Sequence, residues 1–356
     1  MRILYIHRGY FPALAGAEMM ARLLAEQMHR RGHTVQLCMS TSAHQAHPLI
    51  GQGVPLMALP SFQPQVVQDV LPWQPDIIHA VDAVDPLFPR AALNLAQMWQ
   101  LPFVITPASA IETWQDIADT MTVCRSAKLI FVLTNEEAKH YLKAGIAAEQ
   151  LRMTGQGPYL VGTADPEGFR QRYHITGPLV LFLGRKVRFK GYHLLLEASR
   201  YIWAERPDTT ILLMGPRWDD DCLDVFHAFA NPRIIEVDVT NDDQKVSALQ
   251  ACDVLCLPTM VDVFPLVFVE AWACGKPVIS TPFPGVQEVI RANVDGLIVE
   301  PDAEAIARGI VTLLNDPALR KMLGQAGYER VQRELNWPSI AETVEAGYTY
   351  CCTMRS

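Results

Sequence analysis

The chain alternates between short, almost wholly apolar runs and longer segments with the spacing of amphipathic helices. The apolar runs lie at 2–7, 34–40, 54–59, 76–80, 102–107 and 128–133 in the first half, and at 178–184, 209–215, 233–238, 253–258, 276–280 and 296–300 in the second. Runs that are apolar nearly throughout are typical of strands covered on both faces. Strands that alternate with helices predict parallel sheets joined by right-handed crossovers, and therefore an α/β fold.

The alternation breaks once, between about 155 and 177, where GQGPYLVGTADPEGF is rich in glycine and proline, as linkers are. We therefore predict two Rossmann-like domains facing each other across a cleft, at 1–160 and 161–337. Open parallel sheets bind ligands beyond the carboxyl ends of their strands, so both domains would offer such an edge to the cleft. The segment 338–356 has helical spacing and no following strand, and we expect it to pack back on the first domain.

Composition excludes several classes of protein. The net charge of −8 argues against a general nucleic-acid binder, which needs clustered basic residues. No apolar run reaches the length of a membrane span, and MRILYIHRGYF lacks the features of a signal peptide, so a cytoplasmic location is expected. The basic residues His29, Arg30 and Arg31 are too few to indicate contact with a membrane surface. Eight scattered cysteines show no metal-ligand spacing and are expected to be small buried side chains.

The stretch TMVDVFPLVFVEAWACGKPVIST, at 259–281, is mostly apolar yet contains the acids Asp262 and Glu270. A buried carboxylate without a partner is costly, so each acid needs water, a cation or a ligand. Pro265 suits the first turn of a helix, and the free N–H groups of its neighbours Phe264, Leu266 and Val267 would then favour an anion. A phosphorylated ligand with several hydroxyl groups fits this pattern. The alternative is that Asp262 caps the helix and Glu270 pairs with a neighbour.

The segment LGRKVRFKG directly follows the first strand of the second half. Gly184 lets the chain turn at the strand end. Arg185 and Lys190 are two cations suited to a diphosphate group. Lys186 and Arg188 are interpreted as exposed bystanders, because basic clusters in loops are usually solvated. The two segments together predict a diphosphate site with two carboxylates for hydroxyl groups.

These two segments, GRKVRFKG and DVFPLVFVEAWACGKPVIST, resemble the donor-site signature of the retaining glycosyltransferases of family four, which have the GT-B fold. The segments PALAGAEMMARLLAEQMHRRGHTV, PDIIHAVD and GVQEVI…DGLIVEP are also similar to that family, so the resemblance spans nearly the whole chain. It implies transfer of a sugar from a UDP- or GDP-linked donor to a hydroxyl acceptor of unknown class, with retained configuration. Polysaccharide, glycolipid or glycoside biosynthesis would be the setting.

The resemblance implies catalytic roles for Arg185, Lys190 and Asp262. The two cations would grip the donor diphosphate and stabilise the charge that develops as the glycosidic bond breaks. Asp262 would lie beside the sugar ring, as the first acid of the family's E-x7-E pattern. No cofactor and no metal are expected, and the acidic run 219–221 is interpreted as a solvated loop.

The resemblance also implies a donor-binding set drawn from both domains. Glu270 would hold the ribose, and Gly16 would bring the backbone of the first domain close to the donor phosphate. Backbone groups around the predicted helix start would contact the sugar and the phosphate. The full donor-binding set is Gly16, Gly184, Phe264, Pro265, Leu266, Val267 and Glu270.

Three positions depart from the family pattern. Asp262 is one methylene shorter than the usual glutamate, so its contact with the sugar shifts or runs through water. Ala15 replaces the first glycine of the usual pair, which narrows the allowed backbone conformations. Ala108 stands near the place where the family commonly has a histidine that contacts the reacting sugar.

The acceptor side is predicted from the segment that follows Ala108. Ser109 is a candidate substitute for the missing histidine. Glu112 and Trp114 either shape an acceptor pocket or simply pack. His79, within an apolar run, is expected to be a core histidine with satisfied hydrogen bonds.

Other functions remain open from the sequence. A sugar-nucleotide epimerase or a phosphorylase of the same fold is one alternative, although no cofactor-linked lysine is evident for the latter. A catalytically silent subunit that binds nucleotide sugars is another, and Ala108 favours it. A nicotinamide dehydrogenase is disfavoured, because no G-x-G-x-x-G follows the first strand.

Overall fold

Two fully parallel β-sheets organise the chain in the computed structural model, which describes residues 1–9, 16–40, 54–238 and 241–353. Contacts divide the chain into a first unit, Met1–Gln156 with Trp337–Ser356, and a second unit, Gly157–Asn336. The sequence placed the corresponding boundaries after 160 and after 337. Each unit has its own sheet, and helices connect most successive strands.

The sheet of the first unit has seven described strands. They are β1 (Arg2–His7), β2 (Thr34–Ser40), β3 (Leu56–Leu59), β4 (Ile77–Val81), β5 (Phe103–Thr106), β6 (Leu129–Val132) and β7 (Leu151–Met153). The helices are α1 (Gly16–Arg30), α2 (Pro64–Val70), α3 (Leu87–Met98), α4 (Ile117–Ser126) and α5 (Asn135–Lys143). The strand order is β3-β2-β1-β4-β5-β6-β7, and Ile3 of β1 lies opposite both Val35 and Ile77.

The sheet of the second unit has six described strands. They are β8 (Leu179–Leu183), β9 (Thr210–Met214), β10 (Ile234–Val237), β11 (Val254–Leu257), β12 (Val278–Ser280) and β13 (Gly296–Ile298). The helices are α6 (Pro166–Arg172), α7 (Tyr192–Glu205), α8 (Cys222–Ala228), α9 (Asp242–Ala251), α10 (Leu266–Ala273), α11 (Val286–Val289), α12 (Ala303–Asn315) and α13 (Pro317–Arg333). The strand order is β10-β9-β8-β11-β12-β13, so the direction of winding reverses between β8 and β11.

The sequence predicts this architecture well, because all twelve apolar runs contain a strand. The predicted α/β fold of two Rossmann-like halves is confirmed. The sequence did not predict β7, which has only three residues, Leu151–Met153, and contains the charged Arg152. All eight cysteines are free and six are buried, as expected. Among the described helices, none combines the length and apolar character needed to cross a bilayer.

Helix α14 (Trp337–Thr353) belongs to the first unit, where it packs against α1, β6 and β7. Its Tyr348 is fully buried, and the hydroxyl lies 2.7 Å from the hydroxyl of Tyr5 and 2.5 Å from Nδ1 of His79. The other ring nitrogen of His79 lies 2.8 Å from Oγ1 of Thr106. A buried hydrogen-bonded chain therefore connects α14 to β1, β4 and β5.

His79 is the core histidine that the sequence predicts. Burial lowers the pKa of His79 to about 3, so the ring stays neutral at physiological pH. A neutral imidazole offers one donor and one acceptor, and both nitrogens have partners here.

We predict that Tyr348→Phe destabilises the first unit by about 1–3 kcal/mol, because it leaves two buried polar groups, on Tyr5 and His79, without that partner. The matched control is Tyr350→Phe, which changes an exposed tyrosine of the same helix and should be nearly neutral. Urea unfolding followed by circular dichroism would measure both effects. Equal stabilities for the two variants would contradict the prediction.

Candidate donor-binding site

The two segments singled out by the sequence meet where the second sheet reverses its winding. The turn after β8 and the turn after β11 leave neighbouring strands, with Val180 opposite Val254. Two hydrogen bonds to the carbonyl of Phe189 join them, one from the N–H of Met260 at 2.8 Å and one from the hydroxyl of Thr259 at 3.2 Å. Such a reversal of strand order is where parallel sheets commonly bind ligands.

Gly191 allows this close approach of the two turns. Its φ of +74° is left-handed, and a Cβ placed there would lie 2.1 Å from the carbonyl oxygen of Pro258. Only glycine fits both the conformation and the space. The residue ends a 3-10 turn at Arg188–Lys190 and starts α7, so it also fixes the position of Lys190.

Lys190 and Asp262 form an ion pair across the two turns. The Lys190 ammonium donates to Oδ2 of Asp262, and both side chains are largely buried. The other carboxylate oxygen accepts the N–H of Val263 at 3.0 Å. Asp262 therefore does not cap α10, so the first half of the sequence alternative is wrong. Its second half, that Glu270 pairs with a neighbour, is confirmed by the contact with Lys245.

Helix α10 begins at Leu266, one residue later than predicted. Pro265 occupies the N-cap position with φ of −59° and gives no side-chain cap. The N–H groups of Leu266 and Val267 have no hydrogen-bond acceptor among the described residues. Phe264 and Pro265 are buried, while Leu266 and Val267 are half-buried. The start of the helix thus presents unsatisfied N–H groups, which favour an anion.

Glu270 lies one turn further into α10 and is almost completely buried. Its carboxylate lies 2.7 Å from the ammonium of Lys245 on α9. Burial raises the pKa of Glu270, and the positive charge of Lys245 opposes that rise. Lys245 also donates to the carbonyl of Tyr159 at 2.6 Å and lies 4.5 Å from the centre of its ring. The sequence did not single out Lys245, because it lies on another helix and no local pattern connects it to Glu270.

Lys186 is not an exposed bystander, and that prediction is wrong. It is fully buried, donates to the carbonyl of Gly215, and lies 3.1 Å from the carboxylate of Glu236. Burial lowers the pKa of Lys186, and Glu236 opposes this. The backbone of Lys186 continues β8 by pairing with Arg217, which turns its side chain inward. Arg188 is exposed, as predicted, and pairs with Asp221 of the acidic run.

Arg185 lies at the same edge of the sheet in a different setting. Its guanidinium carbon is 4.9 Å from the centre of the Trp218 ring. No carboxylate among the described residues pairs with it. Gly184 precedes it with φ of +155° and donates its N–H to the carbonyl of Met214 at 2.9 Å. The second unit thus brings both predicted cations, both acids and the helix start to one edge of one sheet.

Gly16 belongs to the first unit and is the first residue of α1. A Cβ there would lie 3.6 Å from Nε2 of Gln156, which is ordinary contact, so local space alone does not require glycine. The departure at Ala15 falls outside the described residues.

Two of the three acceptor-side candidates, Ser109 and Trp114, are hydrogen-bonded to each other. Trp114 is buried in the core of the first unit, and its indole N–H donates to Oγ of Ser109 at 3.1 Å. The Ser109 hydroxyl in turn donates to the carbonyl of Pro107 at 3.0 Å. Of the two interpretations of Trp114, packing is the one that this geometry favours. Glu112 is exposed.

Asp82 is a further polar residue at this edge of the first sheet that the sequence did not reveal. It follows β4, is buried, and has φ of +80°, unusual for a residue other than glycine. Ala108, after the neighbouring strand β5, has φ of +53°. Burial raises the pKa of Asp82, and the N–H of Val84, which it accepts at 3.0 Å, opposes that rise. Two strained positions therefore flank the carboxyl ends of β4 and β5.

Among the described residues, no group of three or more potential ligands is spaced to hold a metal ion. The metal-free donor site stays a prediction. A doubly wound sheet whose reversal point carries cations, a helix start and acids is typical of α/β proteins that bind phosphorylated ligands.

Sequence comparison places the chain within this class. Residues 14–157 match the sequence model described as "Glycosyltransferase Family 4", and residues 167–330 match the one described as "Glycosyl transferases group 1". Together the two matches span most of the chain. The protein therefore belongs to glycosyltransferase family four, with the GT-B fold, and it is an enzyme that transfers glycosyl groups, as the resemblance of its motifs indicated.

Curated relatives match over most of the chain. Phosphatidyl-myo-inositol mannosyltransferase of Mycobacterium tuberculosis is 28% identical, with 98% of this chain and 96% of the relative covered. Glycogen synthase of the same species is 24% identical, with 78% of this chain and 69% of the relative covered.

Solved structures share the fold at lower identity. Anabaena HepE in complex with UDP has a TM-score of 0.82 at 18% identity, covering 98% of this chain and all of that one. Sucrose-phosphate synthase of Thermosynechococcus elongatus has a TM-score of 0.81 at 22% identity, covering 99% of each chain.

We predict that Lys245→Met destabilises the second unit by about 3–5 kcal/mol at pH 8, because it leaves the buried Glu270 carboxylate without its cation. The pKa of Glu270 is already raised in the folded state, and the substitution raises it further. A carboxyl group whose pKa is raised by folding contributes its full stabilisation at pH values below its ordinary pKa. That contribution is lost as the pH rises through the raised pKa. The loss should therefore be smaller at pH 5.

The control for this prediction is the double variant Lys245→Met/Glu270→Gln, which removes the titrating group. Its stability relative to the wild type should depend less on pH than that of the single variant. Thermal unfolding at both pH values provides the measurement. A single variant equally destabilised at pH 5 and pH 8 would show that Lys245 does not neutralise Glu270.

Proposed function

We propose that this enzyme transfers a hexose from a UDP- or GDP-linked donor to a hydroxyl group of a glycolipid or polysaccharide acceptor. The second unit holds the donor. The observation that carries the proposal is the gathering of Arg185, Lys190, the start of α10 and two acids at the reversal point of one parallel sheet.

Arg185 and Lys190 bind the donor diphosphate in this proposal. The Lys190 ammonium has three N–H donors, and Asp262 engages one, so others are left for phosphate oxygens. The N–H groups of Leu266 and Val267 add donors without adding a side-chain charge. Negative charge grows on the departing phosphate as the glycosidic bond breaks. Cations fixed in advance stabilise that transition state more than the bound donor, which is what accelerates the reaction.

Asp262 and Glu270 accept hydrogen bonds from hydroxyl groups of the sugar and the ribose, respectively. Each acid is held by a lysine, Lys190 in one case and Lys245 in the other. Each carboxylate oxygen has two acceptor sites, so a lysine contact does not prevent a second bond to a hydroxyl. Each lysine places a positive charge directly beside a carboxylate of an otherwise apolar segment.

The names of related proteins support the classes of donor and acceptor. The mycobacterial relative is named phosphatidyl-myo-inositol mannosyltransferase, and a Corynebacterium glutamicum relative is named as dependent on GDP-mannose. Structures of HepE contain UDP and UDP-glucose. Retention of configuration accords with the family. Independence from metal and a cytoplasmic location stay predictions from the sequence.

We predict that Lys190→Ala lowers kcat for sugar transfer by about 10²–10³-fold, because one fixed charge that stabilises the leaving diphosphate is lost. Transfer from radiolabelled GDP-mannose and UDP-glucose to extracted lipids or glucan provides the measurement. The control is Arg188→Ala, three residues before Gly191 in the same turn, whose exposed side chain pairs with Asp221. It should keep near wild-type turnover. Unchanged turnover in Lys190→Ala, with a normal melting curve, would remove the proposed role of this cation.

Donor identity follows from a thermal-shift screen. UDP, GDP and their hexose conjugates are each titrated against the protein. A nucleotide that binds the folded state should raise its stability by about 2.7 kcal/mol once its concentration reaches about 100 times its dissociation constant. The nucleotide that produces the shift identifies the donor base. A shift without turnover on any lipid or glucan acceptor would favour the silent binding subunit. No shift with any nucleotide would contradict the proposed donor site.

A further inference from the structure

The turn after β8 and the turn after β9 are joined along their length in the second unit. Lys186 donates its N–H to the carbonyl of Pro216 at 2.8 Å, and its own carbonyl accepts the N–H of Trp218 at 3.1 Å. The buried side chain of Lys186 then holds the pair of turns to Gly215 and Glu236. The backbone position of Trp218 relative to the first turn is therefore fixed.

Basic residues are concentrated on these two turns, and most of them pair with carboxylates. Four of the five pair with carboxylates: Lys186 with Glu236, Arg188 with Asp221, Lys190 with Asp262, and Arg217 with Glu236. Arg185 alone among them has no carboxylate partner in the described part of the chain. Its guanidinium instead lies on the ring of Trp218, 4.9 Å from the ring centre. No carboxylate of the described residues therefore competes with a ligand for the Arg185 guanidinium.

Trp218 is a large aromatic residue on the protein surface, with 56% of its area exposed. It stands directly before Asp219, Asp220 and Asp221, so carboxylates lie close by along the chain. Two of these acids are engaged by Arg188, through its N–H to Asp219 at 2.7 Å and through its side chain to Asp221. A cation on an aromatic face is held without being neutralised, unlike a cation in an ion pair.

We propose that Trp218 is a positioning residue for the donor diphosphate, acting through Arg185; this inference rests on the proposed function. The indole restrains the guanidinium at the edge of the sheet and occupies the space beside it that a carboxylate of the adjoining acidic run would otherwise fill. Arg185 thus meets the diphosphate already ordered and without a competing carboxylate. Lys190, in contrast, shares its charge with Asp262.

The test compares the binding of UDP and of GDP to full-length variants by titration calorimetry. Trp218→Leu keeps an apolar side chain but removes the aromatic face, and it should weaken binding of the preferred nucleotide by about three- to tenfold. Trp218→Phe retains an aromatic face and should stay within about twofold of the wild type. Leu223→Ala, which truncates another exposed apolar side chain nearby in the sequence, is the control and should bind normally.

A double-variant cycle distinguishes action through Arg185 from other effects. In an Arg185→Ala background, Trp218→Leu should cause no further loss of binding, because the group that it positions is absent. The same loss in both backgrounds would overturn the inference, since Trp218 would then contact the nucleotide directly or support the fold generally. Wild-type affinity in Trp218→Leu would overturn it as well. A wild-type protein that binds neither UDP nor GDP would instead remove the proposed function itself.

Discussion

The adjacency of β8 and β11 is the constraint on which the candidate site depends. These strands are 74 residues apart from Val180 to Val254, yet they are neighbours in the sheet, and the winding reverses between them. The turns that follow them therefore emerge side by side. Gly191 permits the closest approach of these turns, against Pro258, and the ion pair of Lys190 with Asp262 spans them. A change of strand order would separate the diphosphate-binding cations from the acids.

Both acids in the apolar segment are balanced by lysines from outside that segment. Asp262 meets Lys190 from the turn after β8, and Glu270 meets Lys245 from α9. A carboxylate buried without such a partner would take up a proton or destabilise the fold. The pairs therefore place a counter-charge beside each carboxyl group within a densely packed region. They also mean that each acid is a structural contact as well as a candidate ligand group.

The strands could be predicted from sequence because burial on both faces leaves a local trace, a run of apolar residues. The candidate cations and acids could be predicted because they occur in two short motifs. Side-chain direction left no such trace. The basic loop predicts a solvated Lys186, but its backbone pairs with Arg217 and its side chain is fully buried. The roles of Trp114 and Lys245 likewise depend on contacts that no local sequence pattern reveals. Trp114 packs in the core of the first unit, and Lys245 pairs with Glu270, which lies on another helix.

Helix α14 belongs to the first unit but follows the second unit in the chain, which affects the order in which the first unit can fold. Synthesis delivers β1, β4 and β5 early, but Tyr348, which completes their buried hydrogen bonds, emerges only after the whole second unit has been made. Domains generally fold as units, and those nearer the amino terminus usually fold first on the ribosome. Here Tyr5 and His79 of the earlier half lack this partner until α14 has been synthesised. Premature termination anywhere in the later half would therefore leave the earlier half unfinished.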